Sequence, residues 1–572
     1  MKEDRDSRPN VVLILADDLG WGDIGAYGSE IRTPNLDGLA RKGLRFTQMY
    51  NSARCCPTRA ALLTGLHPHQ AGIGHMVVNM GVPSYQGYLN DSCVTIAEVL
   101  KGSGYRTLMA GKWHVGGEQA NLPEDWYPDM PGYPTPMGRG FDRFYGILSG
   151  GGNYYNPNML MDGTTRMCVD TLEYHFTDAI SEKAAQFVED ASHRDEPFFL
   201  FLAYTAPHWP LHAWPEDIER YRGTYRKGWD ALRTQRHEEQ KGAGLLDVKW
   251  PIAPREQAVP DWEAVDEKEW RDLQMAVYAA QIEQMDRGIG QVLEVLKERG
   301  IEDNTIVMFL SDNGGCAEFL QEDSNDPDPS KYNHPTVDGR EVRVGNAPSI
   351  LPGPDDSFCS VDMAWANASN APFRLFKRYT HEGGISTPFI VSWPDGIQTP
   401  GLVREPSHII DVMPTLVAVT GVTYPGTYNG QDILPMAGES FAEVFEKGDW
   451  SRQGPIFWEH EGNRAVRVGE WKLVSEVADP SDASSRAVWE LYNMTEDRTE
   501  LNDWMPGEQG RANDMIKLYN TWAERCGVLL WPVEGAPRPM GMDVLSRHNH
   551  SVRVPSVRFG PKRVVALPGG GS

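Results

Sequence analysis

The sequence predicts an α/β protein: a large, mostly parallel sheet flanked by helices, with a smaller C-terminal antiparallel sheet plus helix. Three observations carry that expectation. Uninterrupted apolar runs at Val11–Ala16, Phe198–Ala203 and Thr305–Leu310 have the pattern of strands buried on both faces of a parallel sheet. Stretches with helical apolar spacing lie between them. From about residue 430 the pattern changes to short strand-like runs at hairpin spacing. At 572 residues the chain exceeds one ordinary core. The expected division is an α/β unit over residues 1–429, an antiparallel unit over 430–535 and an irregular tail over 536–572.

In chain order, the first strand ends at Asp17 and Asp18, adjacent carboxylates that are costly there unless they face a cation or water. Thr33–Ala40 reads as a capped helix and Leu44–Tyr50 as a strand delivering the chain to Cys55. Pro57 suits a first helical position, with Ala60–Leu63 as the helix and Gly65 as its stop. Cys55 then lies at a helix N-terminus, where free N–H groups favour an anion, and Arg59 can fold back toward it. Val94–Lys101 is an amphipathic helix. Tyr105–Ala110 is a strand followed by Gly111-Lys112-Trp113-His114. Gly150-Gly151-Gly152 lacks the Lys-Ser/Thr of a phosphate loop and reads as a turn. A helix from near Thr177 to Ala191 precedes the strand that closes at Ala206-Pro207-His208.

The Arg- and Glu-rich stretch Trp214–Trp262 is expected to be a solvated surface excursion. Trp270–Arg299 is a long helix stopped by Gly300. Thr305–Leu310 leads into Ser311-Asp312-Asn313-Gly314-Gly315. Polar Cys316–Asn370 is expected to be mostly loop, a lid or pocket wall. Pro388–Trp393 is a further strand, and His408-Ile409-Ile410-Asp411 introduces another helix. The C-terminal runs at Pro455–Trp458, Arg464–Val468, Trp471–Val474 and Trp489–Tyr492, with a helix over Asn513–Cys526, make the small sheet and its helix.

The formal net charge of −26 argues against nucleic acid or an anionic membrane surface as partner. No run reaches the roughly 18 to 20 apolar residues of a spanning helix. An oxyanion site in so acidic a chain must rely on local cations and metal. The 7 cysteines give neither a disulfide framework nor paired metal knuckles. Yet strand after strand hands over to polar groups: Asp17-Asp18, Lys112 with His114, His208, and Asp312-Asn313. Ligands collect at the carboxyl ends of parallel strands, so one shared site is predicted, containing also Cys55 and Arg59. Asp17, Asp18, Asp312 and Asn313 are hard oxygen ligands, suited to Ca²⁺ with Mg²⁺ as the alternative. Arg59, Lys112 and Lys377 are the cations for a transferring oxyanion group, and His114 and His208 the proton handlers.

The run Cys55-Cys56-Pro57-Thr58-Arg59, continuing to Thr64-Gly65, carries Cys-x-Pro-x-Arg and strongly resembles the sulfatase signature. The resemblance extends through Ala16–Asp23, Gly111-Lys112-Trp113-His114, Ala206-Pro207-His208, Ser311–Gly315 and Glu382-Gly383-Gly384, from Arg8 to about Asp503. It is to the formylglycine-dependent, arylsulfatase-like branch of the alkaline phosphatase superfamily. It implies that Cys55, set by register as the modified residue, is oxidised to Cα-formylglycine by a formylglycine-generating maturation enzyme. It implies that Asp17, Asp18, Cys55, Asp312 and Asn313 hold Ca²⁺, that Lys112, His208 and Lys377 hold the sulfate, and that Arg59 and His114 orient and deprotonate the hydrated aldehyde. Cys56 beside the nucleophile and Thr58 in place of the frequent Ser depart from the commonest pattern without breaking it.

The implied reaction is hydrolysis of an aryl or carbohydrate sulfate ester through a covalent sulfo-enzyme intermediate. The rival expectations are a phosphate or phosphonate ester hydrolase of the same superfamily and a catalytically retired glycan-binding protein. The loop Cys316–Asn370 and the segment Trp458–Asn463 are expected to wall the pocket and set the choice of alcohol. Met1–Asn10 has no apolar signal region, which fits a cytoplasmic protein if the sequence is complete. Gly569-Gly570-Gly571-Ser572 looks like a linker scar, which favours a trimmed signal peptide and a periplasmic or extracellular protein.

Overall fold

The structure, a computed structural model, describes residues 7–118, 125–323, 334–477 and 488–533. The expected tail over 536–572 and the first six residues lie outside them. The large sheet takes β1 (Asn10–Ala16), β2 (Leu44–Tyr50), β3 (Arg106–Lys112), β4 (Arg143–Ile147), β5 (Leu160–Asp162), β6 (Thr165–Arg166), β7 (Phe198–Ala203) and β8 (Thr305–Ser311). After the small pair β9 (Arg343–Val344) and β10 (Ser357–Phe358) it adds β11 (Ser386–Ser392), β12 (Gly401–Val403) and β13 (Ser407–His408). The pair β14 (Thr427–Tyr428) and β15 (Gln431–Asp432) stands apart. A second sheet is formed by β16 (Ile456–His460), β17 (Asn463–Val468), β18 (Trp471–Glu476) and β19 (Val488–Asn493).

The eleven-stranded sheet runs β12-β2-β11-β8-β1-β7-β3-β4-β5-β6, with β13 also paired to β2. Its centre, β8-β1-β7-β3-β4, is parallel throughout, as the apolar runs predict. Antiparallel β11 lies between β8 and β2, and β4-β5-β6 makes an antiparallel edge. Along β1, Val12 and Ile14 join one core while Val11, Leu13 and Leu15 join the other, so both faces are covered. Helices α1 (Pro34–Lys42), α2 (Cys55–Thr64), α3 (Ile96–Gly102), α4 (Phe176–Ser192), α5 (Pro215–Glu219), α6 (Gly228–Gly242) and α7 (Lys268–Glu298) provide the covering layers. Thr95 and Glu98 cap α3 reciprocally. Gly111, at φ 115°, lets β3 approach β7: a Cβ there would sit 1.8 Å from the Ala203 carbonyl oxygen.

Two expectations are corrected. Helix α2 starts at Cys55 rather than Pro57, so Pro57 occupies its third position. That remains within the first turn, where the missing N–H has no intrahelical partner to lose. Gly65, at φ 67°, ends the helix as expected. The stretch Trp214–Trp262 keeps many exposed polar side chains but is not a loose excursion, because Tyr221, Tyr225, Trp229 and Trp262 are buried. Trp229 and Trp262 make a T-shaped pair at 4.8 Å and Trp229 meets Trp365 at 5.4 Å. Arg236 of α6 is fully buried, 2.6 Å from Asp23 and 2.9 Å from Glu30. Its charge is matched by partners far away in sequence, which is why composition alone reads it as surface.

The small antiparallel sheet packs one face on the helix Gln509–Cys526, with Phe457 stacked on Trp522 at 5.0 Å. Its other face joins the large sheet through a buried ionic cluster. Lys472 Nζ donates to Glu382 at 2.9 Å and Glu500 at 2.7 Å, and Arg498 Nε donates to Glu382 at 2.9 Å. Lys472→Met is expected to cost about 3–5 kcal/mol in a denaturant melt, because it leaves the buried Glu500 carboxylate without its cation. Burial opposes ionisation of Glu382, but Lys472 and Arg498 outweigh it and hold the carboxyl at about 2, below its ordinary 4.5. The folded-state value is depressed, so this stabilisation is complete above 4.5 and disappears as pH falls from there through about 2. Thermal melts on that acid limb should show Glu382→Gln losing less stability with falling pH than the parent.

Candidate active site

The loops leaving β1, β7 and β8 are stitched together at their carboxyl ends. Asp17 N–H donates to Ala206 O and Asp312 N–H to Ala16 O, both at 3.1 Å. Asp18 N–H donates to Asp312 Oδ1 at 3.3 Å, with Asp18 in a left-handed turn at φ 63°. This turn aims two successive carboxylates into the same buried space. Cations meet them from other elements. Lys112, the last residue of β3, places Nζ 2.5 Å from Asp17 Oδ2. Lys377 Nζ lies 2.8 Å and 2.9 Å from the two oxygens of Asp18. Arg59 of α2 donates from Nε and Nη2 to Asp312 Oδ2, at 3.0 and 2.8 Å, and from Nη1 to the Lys112 carbonyl at 2.9 Å. Asn313 Nδ2 donates to Asp18 Oδ1 at 2.7 Å.

His208 Nδ1–H donates to its neighbour's carbonyl, Trp209 O, at 2.6 Å. Its Nε2 therefore faces the cluster, 3.5 Å from Asp18 Oδ2. Cys55 opens α2, and its sulfur lies in one group with Cys56 Sγ and the His114 ring. Cys56 Sγ is 3.2 Å from His114 Nε2. Gly150 makes room for that ring: a Cβ there would stand 2.4 Å from His114 Nε2, so the glycine run is a close approach to the site as well as a turn. The structure thus brings together Asp17, Asp18, Cys55, Arg59, Lys112, His114, His208, Asp312, Asn313 and Lys377.

Electrostatics differ sharply within the cluster. Burial would raise Asp17, but Lys112, His208 and Arg59 together hold it at about 2. Burial and the facing Asp17 push Asp312 well above the carboxylate range, Arg59 notwithstanding. The hydrogen bond with Cys56, then Lys112 and His114, hold the Cys55 thiol well below its usual value despite burial. Burial brings His114 down to about 4, leaving it neutral at ordinary pH. The donor set fits a hard divalent cation. Asp17, Asp18, Asp312 and Asn313 offer oxygens only, and Asp17 Oδ1 and Asn313 Oδ1 are buried without a hydrogen-bond partner. Ligand atoms of Asp17, Asp18 and His208 fall within 4.8 Å of one another.

Sequence reasoning missed the ion pairs that flank residue 55. Arg54, capping α2, reaches Glu318 at 2.9 Å. Glu318 also accepts from Trp209 Nε1 at 2.7 Å and lies 3.9 Å from Lys377. Arg378 Nε pairs with Glu461 at 2.5 Å, and His75 Nε2 is 2.9 Å from the same carboxylate. Glu318 lies in the expected loop Cys316–Asn370, and Glu461 in the segment Trp458–Asn463. The loop itself carries β9, β10 and the helix Asp362–Ser369 among its described residues. A glutamate three residues beyond the Gly314-Gly315 turn is the sole sequence signal for Glu318.

Arg59→Lys tests the architecture. It keeps the charge but loses the fork that bridges Asp312 and the Lys112 carbonyl. The expected result is a loss of about 2–4 kcal/mol in a denaturant melt, with activity reduced at least about tenfold.

The family model described as Sulfatase matches residues 9–422, and that described as N-sulphoglucosamine sulphohydrolase, C-terminal, matches 373–520. An uncharacterized sulfatase of Schizosaccharomyces pombe is 33% identical, over 96% of this chain and 99% of its own. The arylsulfatase of Klebsiella aerogenes is also 33% identical, over 76% of this chain and 92% of its own. The crystal structure of Ps i-CgsB has a TM-score of 0.63 at 25% identity, covering 95% of this chain and 97% of that one. Strand-end carboxylates, the cations paired to them and these likenesses agree: the chain belongs to the sulfatase family, sulfuric ester hydrolases of the alkaline phosphatase superfamily.

Proposed function

We propose that this protein cleaves sulfate monoesters with residue 55 as a formylglycine diol, splitting the reaction into sulfuryl transfer to the enzyme and release of sulfate. The observation that carries this reading is the buried meeting of Cys55 with three carboxylates and the cations Arg59, Lys112 and Lys377. Lys112, His208 and Lys377 surround the ester's sulfuryl oxygens, where charge must be held. Arg59 fixes Asp312 and the end of β3 against the nucleophile. One diol hydroxyl attacks sulfur and passes its proton to Asp312. His208, doubly protonated at this step, gives its Nε2 proton to the departing alcohol oxygen as the ester S–O bond breaks. His114, kept neutral by burial, takes the proton of the remaining hydroxyl, so that sulfate leaves and the aldehyde returns. Asp17, Asp18, Asp312, Asn313 and the modified residue 55 would hold Ca²⁺, which supplies Lewis-acid stabilisation of the transferring group.

Two measurements test it. Intact mass of protein made with a formylglycine-generating enzyme should show thiol replaced by aldehyde at residue 55, and sulfate release from an aryl sulfate should exceed that of Cys55→Ala by roughly 10³-fold or more. A matched phosphonate ester should be hydrolysed more slowly. Activity that is equal in Cys55→Ala, or higher on the phosphonate, would overturn the reading. Chelation should lower the melting temperature, and Ca²⁺ should restore it in the parent but not in Asp17→Asn, since ligand binding to the folded state alone is stabilising.

A further inference from the structure

Resting on that reading, we infer that Trp209 and Glu318 form the subsite for the alcohol half of the ester and select a ring-bearing alcohol without a second negative charge. The position follows from His208. An alcohol oxygen within proton-transfer reach of His208 Nε2 places its carbon skeleton beside the neighbouring indole, whose ring centroid is 4.4 Å from the imidazole. Trp209 is half-buried, so part of its ring stays accessible. Its orientation is fixed on two sides, by the Nε1–H bond to Glu318 at 2.7 Å and by Phe358 at 5.7 Å. A fixed, partly open indole is a stacking surface for a flat ring. On the nucleophile's side, Met76 Sδ lies 3.7 Å from Cys56 Sγ, and Met76 and Val77 are half-buried. That side presents a thioether and aliphatic carbon.

Charge supplies the selection. Beyond the cluster that holds the sulfate, the nearby guanidiniums are already matched: Arg54 to Glu318 at 2.9 Å and Arg378 to Glu461 at 2.5 Å. Glu318 is kept ionised: burial opposes this, but Lys377 and Arg54 outweigh it and bring the carboxyl to about 2. Among the described residues, an added carboxylate or sulfate on the alcohol meets no uncommitted cation here and faces the half-buried Glu318 carboxylate, in a chain whose net charge is −26.

The test compares kcat/KM for a nitrophenyl sulfate and its ring-carboxylated counterpart, on matured protein. The parent should prefer the uncharged ester by at least about tenfold. Glu318→Gln keeps an acceptor for Trp209 Nε1 but frees Arg54, so the preference should shrink by about fivefold or more. Trp209→Ala should raise KM for the uncharged ester about tenfold, and Trp209→Phe, which keeps a ring, should recover most of it. A parent preference below about twofold, or one unchanged in Glu318→Gln of parental melting temperature, overturns the inference. Should Glu318→Gln fail to fold, the parent's ratio and the Trp209 pair still decide it. Sulfate released from neither ester would instead overturn the reading of the reaction itself.

Discussion

The rest of the molecule depends on burying Asp17, Asp18 and Asp312 against Arg59, Lys112 and Lys377. Each of these charges alone would carry a desolvation cost of several kcal/mol. Together they are nearly neutral, and they come from five elements: the β1 loop, which carries both Asp17 and Asp18, α2, the end of β3, the β8 loop and the segment before β11. The cluster therefore fixes register across the parallel centre of the sheet as firmly as the apolar core does. It also explains why single losses are dangerous. Removing one cation leaves a buried carboxylate without its partner.

That constraint is visible in the sequence because its members sit next to the strands that deliver them. Asp17 and Asp18 follow β1 directly, Lys112 closes β3, and Asp312 and Asn313 follow β8. Apolar runs locate strands, and polar residues at their ends locate the site. What composition hides is pairing across long separations. Arg236 reads as surface because Asp23, its partner, is in another part of the chain. Beyond its place after the Gly314-Gly315 turn, Glu318 has no local pattern, since Arg54 and Trp209 come from a helix cap and a loop. The antiparallel placement of β11 between β8 and β2 is likewise set by tertiary packing, since its apolar run alone fixes no direction. Pro57 is off by two positions for a smaller reason: a proline is acceptable anywhere in the first helical turn.

The second sheet extends the same logic. Glu382, within the Glu382-Gly383-Gly384 motif, makes no contact with the carboxylate cluster; it anchors Lys472 and Arg498 instead. Trp458 Nε1 donates to Asn51 O at 2.8 Å, and Tyr50 stacks edge-on against Trp458. The small sheet is thus fastened to the strand that leads into residue 55. Its first hairpin turn, with Glu461 at φ 50° and Gly462 at φ 80°, is carried to the rim of the site by that attachment.

Backbone strain marks the same place. Ala53, Arg378 and Glu461 all have positive φ, at 63°, 89° and 50°. Such conformations cost of order 1 kcal/mol or more each for residues with a Cβ, and persist where surroundings over-determine them. Here they are linked: Arg378 N–H donates to Ala53 O at 2.7 Å, and its guanidinium pairs with Glu461. Ala53 directly precedes Arg54 and the helix cap. The strained triad therefore transmits the position of the second sheet to the first turn of α2, and so to the nucleophile. A hairpin in one sheet and a helix start beside the other are held as one unit, directly before residue 55.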